Sequence, residues 1–219
     1  MERKFTFHGV PDTWQLINDL YDELLDRKLE GYVPELDRDF QVFDYESHLF
    51  EVSDDPDEAG YISFIPQADG RMTVKRKWFI RNAEIRRETV TGNLHIELNQ
   101  APAHVKTMTT AKVRQLPVFR RKRFDINFES LRTGNIFGVY FDICRTQMPQ
   151  HAFAQCEVEY CRTRTFRPLR DVVEEFEHVA SYVRQFLERK QSAFRHDTFS
   201  KLDFVREAQA LAHPGLATS

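Results

Sequence analysis

The chain has 219 residues, 41% of them hydrophobic, with 31 Lys and Arg against 34 Asp and Glu and a formal net charge of −3. That length and apolar content suit a folded chain with a substantial core. With 30% charged residues and so little net charge, acids and bases must be paired or segregated in space, and a bulk positive field for holding nucleic acid is excluded.

MERKFTFHG at the N-terminus has no apolar leader core, and no apolar run is long enough to span a bilayer, so no membrane partner is expected. The cysteines, Cys144, Cys156 and Cys161, are odd in number, which predicts reduced thiols in a cytoplasmic protein. Cys156 and Cys161 lack the short spacing of a zinc knuckle.

In chain order, residues 1–8 alternate, with Phe5 and Phe7 on one face and Glu2, Lys4, Thr6 and His8 on the other, predicting a first strand. Asp12 or Thr13 caps a helix running to about Glu30, with Leu16, Ile17, Leu20, Leu24 and Leu25 as its stripe and Gly31 as its stop. A second strand covers Asp39–Val52, bent near Glu46, and the acidic turn SDDPDEAG follows at Ser53–Gly60. YISFI at Tyr61–Ile65 is a short strand. MTVKRKWF at Met72–Phe79 is another, with Thr73, Lys75, Lys77 and Phe79 opposite Val74, Arg76 and Trp78. A hairpin turn at Asn82–Ala83 leads into Glu84–Thr91, where Glu84, Arg86 and Glu88 share a face.

Ala101–Arg114 has modest helical spacing and predicts a short outer helix. FRRKRFDINFE at Phe119–Glu129 has two unlike faces. Phe124, Ile126 and Phe128 point one way, and Arg121, Arg123, Asp125 and Asn127 the other. Phe137–Arg145 packs through Phe137, Val139, Phe141 and Ile143, with Tyr140 and Asp142 facing away. Ala154–Thr163 packs through Cys156, Val158 and Tyr160, with Glu157 and Glu159 facing away. Asp171–Lys190 is an amphipathic helix with Val172, Phe176, Val179, Val183 and Phe186 on one face, and a second helix covers Phe199–Ala212.

These strands share one design, an apolar side and a side bearing Lys, Arg and Glu. The charged side is either a solvated surface or, if the sheet curls with that side inward, a lumen suited to a compact polyanion. In the second case Lys75, Lys77, Arg86, Arg121 and Arg123 would contact phosphate oxygens. Glu157 and Glu159, two apart on one strand, either pair with Arg162 or Arg164 or share a cation. Mg²⁺ or Mn²⁺ suits them, because such ions take hard oxygen ligands.

Several segments, in order, resemble the CYTH, or triphosphate tunnel metalloenzyme, superfamily. ERKF at Glu2–Phe5 is similar to the end of its N-terminal ExExK strand, and VFDYESHLF at Val42–Phe50 to its second strand. TVKRK at Thr73–Lys77 resembles the strand carrying its phosphate lysine; RRE and RKR, around Arg86–Glu88 and Lys122, resemble its basic strands. FDIC and CEVEY resemble its closing Asp strand and its ExE strand, and SKLDF at Ser200–Phe204 a recurrent C-terminal segment.

The resemblance implies an α+β fold over residues 1–219, one domain with an eight-stranded antiparallel β tunnel, closed or nearly so, and flanking helices. It implies a metal-dependent hydrolase that cleaves a small triphosphate or polyphosphate with Mg²⁺ or Mn²⁺. Lys4, Arg86, Glu157 and Glu159 would serve catalysis, and Glu2, Glu88, Asp142, Glu157 and Glu159 the metal; Asp142 is either such a ligand or an arginine's partner. Two departures stand out. The first glutamate of ExExK has no counterpart, and YISFI has no arginine where the family often has RxR. They support an alternative, a non-catalytic polyanion- or nucleotide-binding module. A homodimer through the stripe of 171–190 is the expected assembly if that stripe does not pack on the barrel.

Overall fold

The computed structural model describes residues 1–38, 40–67, 69–78, 87–147, 150–166 and 168–212. The strands are β1 (Glu2–Phe7), β2 (Tyr32–Pro34), β3 (Gln41–Val52), β4 (Gly60–Pro66), β5 (Met72–Trp78), β6 (Arg87–Leu94), β7 (Val113–Gln115), β8 (Phe119–Ser130), β9 (Asn135–Thr146), β10 (His151–Thr163) and β11 (Phe194–Asp197). The α-helices are α1 (Thr13–Leu25), α2 (Ala101–Met108), α3 (Leu169–Arg189) and α4 (Lys201–Ala212). The fold is therefore α+β, and its strand pairs run antiparallel. The hairpin turn expected at Asn82–Ala83 lies outside the described residues.

The chain resolves into two compact units. The first comprises Met1–Phe43, Lys122–Ile143 and Ala152–Thr198. Its strand order is β11-β1-β10-β9-β8, with β2 beside β8. The alternation seen in the sequence decides its core. Phe5 and Phe7 of β1, Phe124, Ile126 and Phe128 of β8, Phe137, Val139 and Phe141 of β9, and Ala154, Cys156 and Val158 of β10 form one apolar face. Leu16, Ile17, Leu20 and Leu24 of α1 and Phe176, Val179, Val183, Phe186 and Leu187 of α3 complete that core. Each such large side chain contributes about 1.5–3 kcal/mol on burial, so this face holds the unit together.

Helix α1 starts where expected, with the Asp12 carboxylate accepting from the Gln15 N–H at 3.0 Å. It stops at Leu25, short of Glu30. Arg27 adopts a left-handed backbone at φ 58°, and the Lys28 N–H turns back to the Glu23 carbonyl at 3.0 Å, which closes the last turn. Helix α3 is pinned by a buried carboxylate. Glu175 accepts from Ser130 Oγ at 2.8 Å, Thr133 Oγ1 at 2.6 Å and Asn135 Nδ2 at 2.8 Å.

The second unit comprises Asp44–Arg121, Cys144–His151 and Phe199–Ser219. Its strands run β3-β4-β5-β6, with β7 beside β3. Phe50, Val52, Ile62, Phe64, Met72 and Val74 pack with Ala101 and Val105 of α2. The helix expected over Ala101–Arg114 ends at Met108, because Thr109 is extended and Val113–Gln115 leaves to pair with Phe50–Val52.

The closed eight-stranded tunnel is corrected in two respects. The strands number eleven among the described residues. In neither unit do they close on themselves there, the first ending at β11 and the second at β6.

Burial alone would raise the Glu175 carboxyl, but the hydrogen bonds from Thr133, Ser130 and Asn135 and the charge of Arg132 outweigh it and hold the group below its ordinary 4.5. Its contribution is present above the unfolded value and is lost as pH falls through the lowered one. Glu175→Ala is expected to cost about 3 kcal/mol in urea unfolding, since it strands buried donors. In Glu175→Gln the melting temperature should fall less than in wild type between about pH 5 and about pH 3.

Candidate functional site

The face of the first unit's sheet opposite the apolar core is polar, and it too is buried. Pairing of β1 with β10 sets Glu2 opposite Glu159, Lys4 opposite Glu157 and Thr6 opposite Gln155. On its other side, β1 sets Lys4 opposite Asp197 of β11. Relative exposures of 8% for Glu2, 5% for Lys4, 4% for Glu157 and 0% for Asp142 rule out a solvated strand surface.

Arg123 is the hub of this face. Its Nε donates to Asp142 Oδ1 at 2.9 Å, and its Nη2 to Asp142 Oδ2 at 2.9 Å and Glu157 Oε2 at 2.7 Å. The guanidinium lies over the Tyr140 ring, 4.2 Å from its centroid, and Tyr140 OH is 3.1 Å from Cys161 Sγ. Lys4 Nζ stands 3.6 Å from Glu2 Oε1 and 3.7 Å from Glu157 Oε1, both longer than hydrogen bonds.

Two balanced pairs flank the hub. Arg38 binds Asp125 at 2.7 Å, and Arg195 binds Asp197 at 2.6 Å, while Asp197 also accepts from Thr6 at 2.8 Å. Burial pushes the Asp125 carboxyl above its ordinary range and the nearby Asp142 adds to this, although Arg38 and Arg123 oppose them. Within this unit, Glu2, Asp142, Glu157 and Glu159 share this face with Lys4 and Arg123.

Arg162 and Arg164 do not take up Glu157. Arg162 pairs with the buried Glu35, and Arg164 with Glu129 at 2.6 Å and Asp37 at 2.8 Å. Sequence reading missed this cluster and the Arg38–Asp125 pair, because a loop supplies Glu35, Asp37 and Arg38 and a loop has no period.

In the second unit, Lys75 and Lys77 of β5 share a face and one acid. Glu88 of β6 lies opposite Lys77, with its carboxylate 2.8 Å from Lys77 Nζ and 3.4 Å from Lys75 Nζ. Burial would raise the Glu88 carboxyl, and the two lysines together pull it below its ordinary range. Arg121 donates to Tyr45 OH at 3.2 Å. Arg86 lies outside the described residues.

Among the described residues, no three His, Cys, Asp or Glu side chains are gathered as a ready metal-binding set. By kind, Glu2, Glu157 and Glu159 offer only hard oxygen donors, which suit a divalent cation. The long Lys4 contacts are the ones such an ion would replace.

No family model and no curated protein matches the chain. Solved structures do. The PH1819 protein from Pyrococcus horikoshii OT3 superposes with a TM-score of 0.51 at 12% identity, over 94% of this chain and 99% of that one. The S. pombe Pct1 RNA triphosphatase, in complex with the Spt5 CTD, matches with a TM-score of 0.38 at 12% identity, over 87% of this chain and 83% of that one. The first likeness shows a shared fold. The second is too low to carry anything further. No helix among the described residues is long and apolar enough to cross a membrane.

Arg123→Ala would leave the fully buried Asp142 without the guanidinium that balances it. Removal of one partner of such a pair is expected to cost about 3–5 kcal/mol, measured by chemical denaturation. A loss under about 0.5 kcal/mol, the size of an ordinary surface substitution, would contradict the burial described.

Proposed function

We propose that this chain hydrolyses a small triphosphate or polyphosphate with the help of Mg²⁺ or Mn²⁺. One observation carries the reading: pairing of β1 with β10 gathers Glu2, Glu157 and Glu159 beside Lys4 and Arg123 on the polar face of the first unit. Carboxylates set among cations in this way offer hard oxygen donors to a divalent ion and basic groups to phosphate.

Glu2, Glu157 and Glu159 would hold that ion. When bound, it would supply an activated water and neutralise charge on the phosphates. Arg123 and Lys4 would meet phosphate oxygens in the first unit. In the second unit, Lys75, Lys77 and Arg121 would do so. Both lysines contact the Glu88 carboxylate there, and an anion could replace it as their counter-charge. Glu88 belongs to this proposed set through its contacts with both lysines, and Arg86 through the sequence alone. Catalysis would come from positioning and charge stabilisation, as is usual for phosphoryl transfer.

A second reading, polyanion binding without turnover, draws on a separate observation. Arg123 already joins Asp142 to Glu157, which leaves no gathered set of metal donors among the described residues.

Phosphate release from tripolyphosphate, with and without Mn²⁺, separates the two. The first reading expects metal-dependent release, lowered by about 100-fold or more in Glu157→Gln. Lys75→Ala/Lys77→Ala should raise KM by about tenfold, with weaker binding at higher salt. A raised melting temperature without release selects the second reading, and no change in either sinks both.

A further inference from the structure

The partners of Arg123 divide into one that is fixed and one that is exchangeable. Asp142 is fully buried, and both of its oxygens accept from the guanidinium at 2.9 Å in a two-point fork. The Tyr140 ring supports the guanidinium from one face at 4.2 Å. Arg123 reaches Glu157 through one bond, at 2.7 Å, from an Nη2 that also serves Asp142, and Glu157 Oε1 lies 3.7 Å from Lys4 Nζ. An incoming phosphate can replace a single bond more readily than a fork. A cation that took Asp142 would strip Arg123 of its main counter-charge inside the protein, which is the costly direction.

We propose that Asp142 is a positioning residue. It fixes the plane and reach of the Arg123 guanidinium for phosphate, Glu157 is the partner that the phosphate displaces, and Asp142 stays outside the cation's ligand shell. This departs from the metal role that the family resemblance implies for Asp142, and it rests on the triphosphate reading above.

The test is phosphate release by the full chain, titrated in tripolyphosphate at saturating Mn²⁺ and in Mn²⁺ at fixed tripolyphosphate. Asp142→Asn keeps the size and loses the fork. It should raise KM (or Kd, where there is no turnover) by about tenfold, with the Mn²⁺ requirement within about twofold. Arg123→Lys, which keeps charge without a fork, should match it, and the double variant should be no worse than the poorer single one.

A shifted Mn²⁺ requirement with unchanged KM would overturn the assignment and leave the triphosphate reading standing. A wild type that neither binds nor cleaves tripolyphosphate would remove the reading itself, and the assignment with it. If Asp142→Asn does not fold, Asp142→Leu/Arg123→Met removes the whole pair at similar volume. Mn²⁺ affinity retained in that variant supports the positioning role, and a loss of about tenfold or more refutes it.

Discussion

The structure of the first unit depends on how its sheet buries charge. One face is a conventional apolar layer under α1 and α3. The other face hides Glu2, Lys4, Asp142 and Glu157, with Arg123 partly buried among them. Such a face is stable only if each ion finds a partner, because the cost of an isolated buried charge exceeds what the apolar contacts of one residue return. Arg123 meets that demand. One guanidinium joins β8 to β9 through Asp142 and to β10 through Glu157.

At this hub Asp142 meets Arg123 through a fork, and Lys4 Nζ stands 3.6 Å from Glu2 and 3.7 Å from Glu157. In the second unit two lysines surround Glu88.

Much of this was legible because strands repeat every two residues. The split of β8 into Phe124, Ile126 and Phe128 against Arg123, Asp125 and Asn127 follows from spacing, as does the placing of Asp142, Glu157 and Glu159 on the face away from the apolar core. The stripe of α3 follows from its helical period. What escaped has no local period. The strands β2, β7 and β11 are short segments defined by what they pair with. The end of α1 is set by a left-handed arginine, where a glycine was the expected signal. Spacing also assigns a face without assigning a partner, so it placed Arg123 correctly yet could not show that Asp142 and Glu157 hold it.

The most direct measurement is anomalous diffraction from crystals grown with Mn²⁺ and a non-hydrolysable imidotriphosphate. A manganese peak is expected in contact with Glu157 and its neighbours Glu2 and Glu159, with phosphate oxygens on Arg123. A peak bound elsewhere, or ligand density absent while Lys4 and Arg123 keep their present partners, would contradict it.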